Sequence, residues 1–255
     1  MKGGVLRMTS FIKSKYSWLI APIVFLIAIA LLALVGGFCS PEWILSHFDN
    51  DGGSPVESAT VGLFYLCIGV IWFIPCMPSP KRLLFWRLDF TLVTLIAICR
   101  ELDWHKLVVH ASQLPGATQG SAFKLRFLTN PVNPLGDRIL VLLYFIIVFL
   151  VVGGTVLYFF RRLWKGLWKL HPVSWSIGML GGTGMLIQFL DRVPSILRRK
   201  FGILLTPGAD SAFAAFEEGF ELLLPVFAIL AILQAYLIYV DPVDEGTAPE
   251  KWREI

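Results

Sequence analysis

Hydrophobic residues fill long stretches of the chain, and polar or charged residues are concentrated between them. A helix needs roughly 20 apolar residues to cross the hydrocarbon core of a bilayer. Six stretches approach or exceed that length, at 18–38, 60–77, 83–99, 139–160, 174–190 and 212–240. The second, third and fifth are short and contain Pro, Gly or charged residues. The pattern predicts an all-α fold, a single polytopic bundle of about six transmembrane helices.

The composition indicates an integral membrane protein. Of 255 residues, 56% are hydrophobic and 16% are charged, and the mean hydropathy is +0.71. A soluble domain is typically about 25% charged. The four cysteines lack CxxC spacing, which favours buried apolar side chains over metal ligands. We expect no nucleic-acid partner. Membrane lipids are the expected surroundings, and an oligomer or a larger complex is compatible with the pattern.

The distribution of Lys and Arg predicts the orientation, because short cytoplasmic loops are enriched in both. Lys2, Arg7, Lys13 and Lys15 precede the first span, and four more basic residues lie in 161–169. The loop after the first span carries acids and no Lys or Arg. Both termini are therefore predicted to be cytoplasmic, and the short loops suggest a bacterial inner membrane. The segment 107–137 is predicted to be an extracytoplasmic loop or lid, and 241–255 a flexible cytoplasmic tail.

One short basic stretch conflicts with this orientation, because the six-span topology places it on the extracytoplasmic side. It holds Arg192, Arg198, Arg199 and Lys200. Apolar residues recur between these charges at helical spacing, which is typical of an amphipathic helix at the membrane surface. Pro194 would be tolerated in the first turn of such a helix. The basic residues would then meet anionic headgroups, phosphates or carboxylates of the site itself.

Ionisable side chains near the span ends are the candidate functional residues, since charges at membrane depth are costly and mark function by default. The set comprises Asp89, Glu101, Asp103, His105, His110, Asp191, Glu217, Glu218 and Glu221. Alternating spans bring the ends of the third and fifth and the start of the sixth to the outer side. Asp89 lies deeper in the third span, and we expect an arginine of another helix as its partner. His47 and His171 are predicted to be interfacial.

Carboxylates with one or two histidines suit Zn²⁺, Mg²⁺, Mn²⁺ or Ca²⁺. The predicted metal ligands are His105, His110, Glu217 and Glu221. The predicted catalytic residues are Glu101, Asp103, His105, Glu217, Glu218 and Glu221. The predicted substrate-binding residues are Arg100, Asp191, Arg192, Arg198 and Arg199. Without a metal, the carboxylates themselves would be the catalysts.

Three functions are compatible with this cluster. The favoured one is a membrane enzyme, a hydrolase or transferase acting on a lipid or lipid-linked substrate at the extracytoplasmic face. The chain contains no HExxH or GxSxG motif, which argues against the hydrolase classes that those motifs mark. The second is a proton- or cation-coupled transporter, in which Asp89, Asp103, Glu217 and Glu221 form a relay. The third is a non-catalytic subunit whose charges pair with partner chains.

Overall fold

The computed structural model describes residues 16–49, 53–75, 80–102 and 125–240. It is 88% helix, without a strand in those ranges. Five helical stretches are long and apolar enough to cross a membrane: Ser17–Phe38, Pro55–Phe73, Leu135–Trp168, Pro172–Phe201 and Pro207–Tyr239. The chain is thus an all-α integral membrane protein. Asp103, His105, His110, most of the predicted lid and the predicted tail lie outside the described residues.

The described helices are numbered in chain order. They are α1 (Ile20–Phe38, preceded by a 3₁₀ turn Ser17–Leu19), α2 (Pro41–Phe48), α3 (Pro55–Phe73), α4 (Pro80–Glu101), α5 (Leu125–Thr129), α6 (Leu135–Val148), α7 (Gly154–Trp168), α8 (Pro172–Phe201) and α9 (Pro207–Tyr239). A π-helical turn, Phe149–Gly153, joins α6 to α7. The predicted third span coincides with α4. This helix is not among the five apolar ones, because Arg87 and Asp89 lie inside it and further charged residues occupy both ends. A sixth span therefore stays a prediction.

Polar caps set the starts of several helices. Ser54 and Glu57 form a capping box at the start of α3, and Thr206 accepts a hydrogen bond from the Ala209 N–H at the start of α9. Pro55 and Pro207 follow these caps, at a position where a missing N–H costs nothing. Both helices therefore begin five residues before the predicted spans, because their first turns are too polar to register as membrane segments.

The basic stretch after 190 is a continuation of α8 and not a separate interfacial helix. Pro194 lies inside this helix. The helix ends at Gly202, whose φ of 65° is in the left-handed region, and the Ile203 N–H donates to the Leu197 carbonyl at 3.1 Å. This is the usual glycine-terminated helix end. At 1.5 Å per residue, α8 is about 45 Å long, which exceeds a hydrocarbon core of about 30 Å.

The chain divides into two compact units, which are described separately. Unit 1 comprises residues 1–84 with 161–255, and unit 2 comprises residues 85–160. In unit 1, α9 packs against α1, α2, α3 and α8. The Gln234 side chain accepts a hydrogen bond from Ser176 Oγ at 2.7 Å and donates to the Ser17 carbonyl at 3.3 Å. At the other end of α9, Gly36 lies against Ala212. Both α1 and α8 are therefore antiparallel to α9.

Unit 2 packs aromatic side chains of α4 against α7. The Trp86 ring lies 4.5 Å from Phe159 and 5.0 Å from Tyr158, between ring centroids. At the start of α6, the buried Phe127 of α5 packs against Val141, and Asn133 Nδ2 donates to the Phe127 carbonyl at 2.7 Å. The described end of the predicted lid, from residue 125 onward, is therefore anchored to α6.

Candidate functional site

Three carboxylates follow one face of α9, and their burial increases along the helix. At 100° per residue, Asp210, Glu217 and Glu221 fall within an arc of about 40°. Asp210 is exposed, Glu217 is half-buried, and only 5% of Glu221 is accessible. The three residues cover about 16 Å of helix. They form an acidic ladder from the exposed start of α9 into the interior of unit 1. Glu218, also half-buried, lies beside this ladder.

Glu221 lies close to the middle of the membrane-spanning part of unit 1. Two residues before it, Gly219 faces α1, where Leu32 Cγ is 3.1 Å from the place that a Cβ at Gly219 would occupy. Leu32 precedes the end of α1 by six residues, or about 9 Å. Glu221 is then about 12 Å from the end of Ser17–Phe38, a span of about 33 Å. Its depth is within about 5 Å of the midpoint of that span.

Gly219, two residues before Glu221, marks the closest approach of α1 to this part of α9. A glycine lets α1 approach α9 closely, and Gly219 is buried in that contact. Glu221 points about 160° away from Gly219 around the helix, so its carboxyl group is on the side turned away from α1. The neighbouring helices bury it there. The acid at mid-depth is therefore enclosed by helices of unit 1.

Pro225 modifies the backbone next to Glu221. It is buried inside α9 and, like every proline, has no N–H. In a regular helix the N–H of residue 225 would donate to the carbonyl of residue 221. That donor is missing at this turn. The carboxyl group of Glu221 lies at the same turn, and carboxylate oxygens bind protons and hard cations.

The predicted substrate-binding residues lie on α8 and α4. Asp191, Arg192, Arg198 and Arg199 are exposed on the last third of α8, and Arg100 is exposed at the end of α4. Extending the Ser176–Gln234 register along the antiparallel helices brings Asp191 within about one turn of Glu217 and Glu218. The register thus places Asp191 at about the level of Glu217 and Glu218 in unit 1. Glu101 and Arg100 belong to unit 2.

The metal site is not supported within the described part of the chain. No group of three or more His, Cys, Asp or Glu side chains there could hold a metal ion. Glu217 and Glu221 are described, whereas His105 and His110 are not. The α9 acids do not form a metal-binding group with other described residues.

Asp89 has a neighbour other than the expected arginine. Its Oδ2 atom lies 2.8 Å from the hydroxyl oxygen of Thr155 on α7. The sequence pattern gave no reason to choose Thr155, since the two residues are far apart in the chain and meet only through the packing of unit 2.

Sequence reasoning also missed a buried polar end of unit 1. Ser17, Ser176 and Gln234 are fully buried and linked by the hydrogen bonds of Gln234. His171 was predicted to be interfacial, yet 1% of it is accessible, and its Nε2 lies 2.8 Å from the Tyr239 hydroxyl. Burial lowers the pKa of His171 from 6.5 to about 4, because the charged imidazolium loses hydration. The sequence did offer one signal, because Ser176 and Gln234 are polar residues inside otherwise apolar spans.

A comparison with protein families, with curated proteins and with solved structures finds no match to this chain.

Proposed function

We propose that the chain is a proton- or cation-coupled transporter in which Glu221 is the ion-binding carboxyl group. The observation that carries this proposal is the burial of Glu221 at mid-depth, at the inner end of the acidic ladder. Ionisable residues inside membrane bundles typically mark ion pathways and proton relays. Asp210 would receive the ion from the exposed side, and Glu217 would pass it inward.

The depth of Glu221 favours transport over chemistry on a lipid headgroup. Headgroups lie about 15 Å from the bilayer centre, at the edge of a hydrocarbon core about 30 Å thick. A catalytic acid for such a substrate belongs at that edge, whereas the most buried acid of α9 is far deeper.

We further propose six spans, with α4 as the third and both termini in the cytoplasm of a bacterial inner membrane. The contact between Ser17 and Gln234 supports this topology, because it holds the start of the first span beside the end of the last one. The basic residues before the first span and those in 161–169 would lie on that same side, as the positive-inside rule requires. Reporter fusions after residues 50, 103 and 240 would test the topology. An extracytoplasmic reporter signal from the fusion at 240 would contradict it.

Flux through purified protein in liposomes tests the transport proposal. A potassium diffusion potential would drive ions inward, and internal dyes would report protons, Na⁺ and K⁺. Wild-type protein should carry one of these ions faster than empty liposomes, and Glu221→Gln should abolish the flux. Glu42→Gln is the matched control, since Glu42 is an exposed acid of α2 outside the ladder. Equal flux in wild type, Glu221→Gln and empty liposomes would refute the proposal.

A second function has one specific observation in its favour. The last third of α8 exposes Arg192, Arg198 and Arg199, and Asp191 is near the level of Glu217 and Glu218. Guanidinium groups bind phosphates in bidentate fashion, so this end of unit 1 suits an anionic lipid or lipid-linked substrate. An enzyme of this kind would use Glu217 or Glu218 as acid or base, with Glu101 and Asp103 as further candidates.

A divalent metal belongs to this second function, with His105 and His110 as imidazole ligands. Elemental analysis of the purified protein separates the two functions. Near-stoichiometric zinc or manganese that is lost in His105→Ala would favour the enzyme. Protein that binds no metal, together with ion flux that depends on Glu221, would favour the transporter.

A further inference from the structure

The outward face of α8 carries a glutamine side chain. Gln188 is exposed, whereas the preceding residue, Ile187, is fully buried in the core of unit 1. In the described part of the chain, no hydrogen bond joins the Gln188 side chain to another residue. A carboxamide has two N–H donors and a carbonyl acceptor. These groups are therefore turned away from the interior of unit 1.

Two contacts between α8 and α9 give the depth of Gln188. Ser176 donates to Gln234 near one end of the pair, and a Cβ at Gly184 would lie 4.0 Å from Leu224 Cδ2 further along. In antiparallel helices these contacts put Gln188 at the level of residues 220–222. That level is within about 6 Å of the midpoint of Ser17–Phe38. An exposed amide at this depth would face hydrocarbon, where no water can satisfy its hydrogen bonds.

The residues around Gln188 form a surface that another helix can approach closely. Gly181, Met185 and Gln188 are all exposed and are separated by four and three residues, the spacing of a left-handed helix–helix seam. We call these three residues the α8 seam. No atom lies within 4 Å of a Cβ placed at Gly181, so the packing described for unit 1 does not require this glycine. Small residues at such positions let two membrane helices come together.

We propose that the α8 seam is a homodimer interface, at which α8 packs in parallel against α8 of a second copy of this chain. The carboxamide identifies the occupant, because it is self-complementary. Across a two-fold axis, each Gln188 donates an N–H to the carbonyl oxygen of the other, and the same surface serves both copies. Hydrogen bonds of this kind hold helices together in a bilayer.

The flanking residues limit the extent of the interface. Met185, 72% exposed, has a flexible apolar side chain that adapts to irregular gaps. One turn beyond Gln188, Arg192 continues the same face, and two such cations would repel each other on a shared axis. The close contact therefore covers the two turns from Gly181 to Gln188. This inference does not rest on the transport proposal, since it uses the outward face of α8 and not the acids of α9.

Förster transfer between copies in liposomes tests the dimer. Full-length protein with a donor fluorophore and full-length protein with an acceptor are reconstituted together at a series of protein-to-lipid ratios. Wild type should show more transfer than random proximity produces, and Gln188→Met should weaken association by about tenfold. Methionine keeps the length of the side chain and removes its hydrogen-bonding groups. Random transfer in wild type, or equal association of wild type and Gln188→Met, would overturn the proposal.

A bulky side chain at Gly181 tests the close approach. Gly181→Leu should reduce transfer to the random level, because its side chain would hold the two helices apart. Gly62→Leu on α3 is the matched control, since Gly62 is also exposed and has no atom within 4 Å of an added Cβ. Thermal unfolding in detergent verifies that both variants fold. A folded Gly181→Leu protein that associates as tightly as Gly62→Leu would contradict the seam.

Disulfide cross-linking tests whether the partner at the seam is a second copy. A disulfide forms only when two Cβ atoms come within about 3.5–4.5 Å. Met185→Cys should therefore give a cross-linked dimer in oxidised membranes, whereas Leu26→Cys, exposed on α1, should give no more than wild type with its native cysteines. If another part of the same chain or a different protein covers the seam, Met185→Cys will give no dimer above wild type, and the proposal is wrong.

Discussion

Replacing Gly219 by alanine tests the helix contact from which the depth of Glu221 is inferred. The new Cβ would lie 2.8 Å from Leu32 Cδ1 and 3.1 Å from Leu32 Cγ, and it would overlap with Cδ2. Because both methyl groups and the branching carbon are affected, turning the leucine about one bond does not clear the space. Overpacking of this kind costs about 1–3 kcal/mol, and the better helix propensity of alanine returns up to about 1 kcal/mol. We expect a net loss of about 1–2 kcal/mol.

Thermal unfolding in detergent measures this loss, which corresponds to a Tm lower by roughly 2–8 °C. Gly62→Ala is the matched control, because no atom lies within 4 Å of the new Cβ on α3. The pair Leu32→Ala and Gly219→Ala should be coupled, since removing the leucine side chain makes room for the new methyl group. The double variant should be about 1 kcal/mol more stable than the sum of the single effects. Two results together would contradict the contact between α1 and α9 at Gly219. Gly219→Ala would be as stable as Gly62→Ala, and the effects of Leu32→Ala and Gly219→Ala on stability would be additive in the double variant.

Three further predictions concern the opposite end of unit 1. Burial lowers the pKa of His171 to about 4 from 6.5, so the unfolded chain binds a proton that the folded one does not. The free energy of unfolding should therefore decrease by up to about 3 kcal/mol as the pH is lowered from 6.5 to 4. A His171→Gln protein whose free energy of unfolding has the same pH dependence would contradict this. Gly166→Ala should destabilise the protein by about 1–3 kcal/mol, because the new Cβ would collide with the side chain of Ser174. In denaturation experiments, Ser174→Gly should partly restore stability. Ser174→Ala should not, because it keeps the Cβ that lies 2.7 Å from the new methyl group. Gln234→Leu should cost about 1–3 kcal/mol, because it leaves the buried Ser176 hydroxyl without its partner. An unchanged Tm would show that this hydrogen bond does not contribute to stability.

The membrane helices could be predicted from the sequence because hydropathy is a local property. The predicted spans and the observed helices overlap throughout, and the differences lie at their ends. Polar capping residues such as Ser54 and Glu57 lower the local hydropathy. A prediction from hydropathy therefore assigns them to the loop before the helix. The continuation of α8 through Pro194 was harder to foresee, since proline usually ends or bends a helix.

The site was only partly predictable, because burial depends on contacts between distant segments. Glu217 and Glu221 are four residues apart, which puts them on one face of any helix that contains both. The burial of Glu221, however, depends on the helices that pack around α9, and no local pattern encodes those contacts. The same applies to Asp89, whose neighbour Thr155 is brought to it by helix packing. Asp103, His105 and His110 stay predictions, since they lie outside the described residues.

The most direct test of the central claim is ion flux in liposomes that contain wild type, Asp210→Asn, Glu221→Gln or Glu42→Gln at equal protein density. If the acidic ladder carries the ion, flux should be highest in wild type and Glu42→Gln, lower in Asp210→Asn and equal to that of empty liposomes in Glu221→Gln. Flux in Glu221→Gln equal to that of wild type would contradict the claim that Glu221 binds the transported ion.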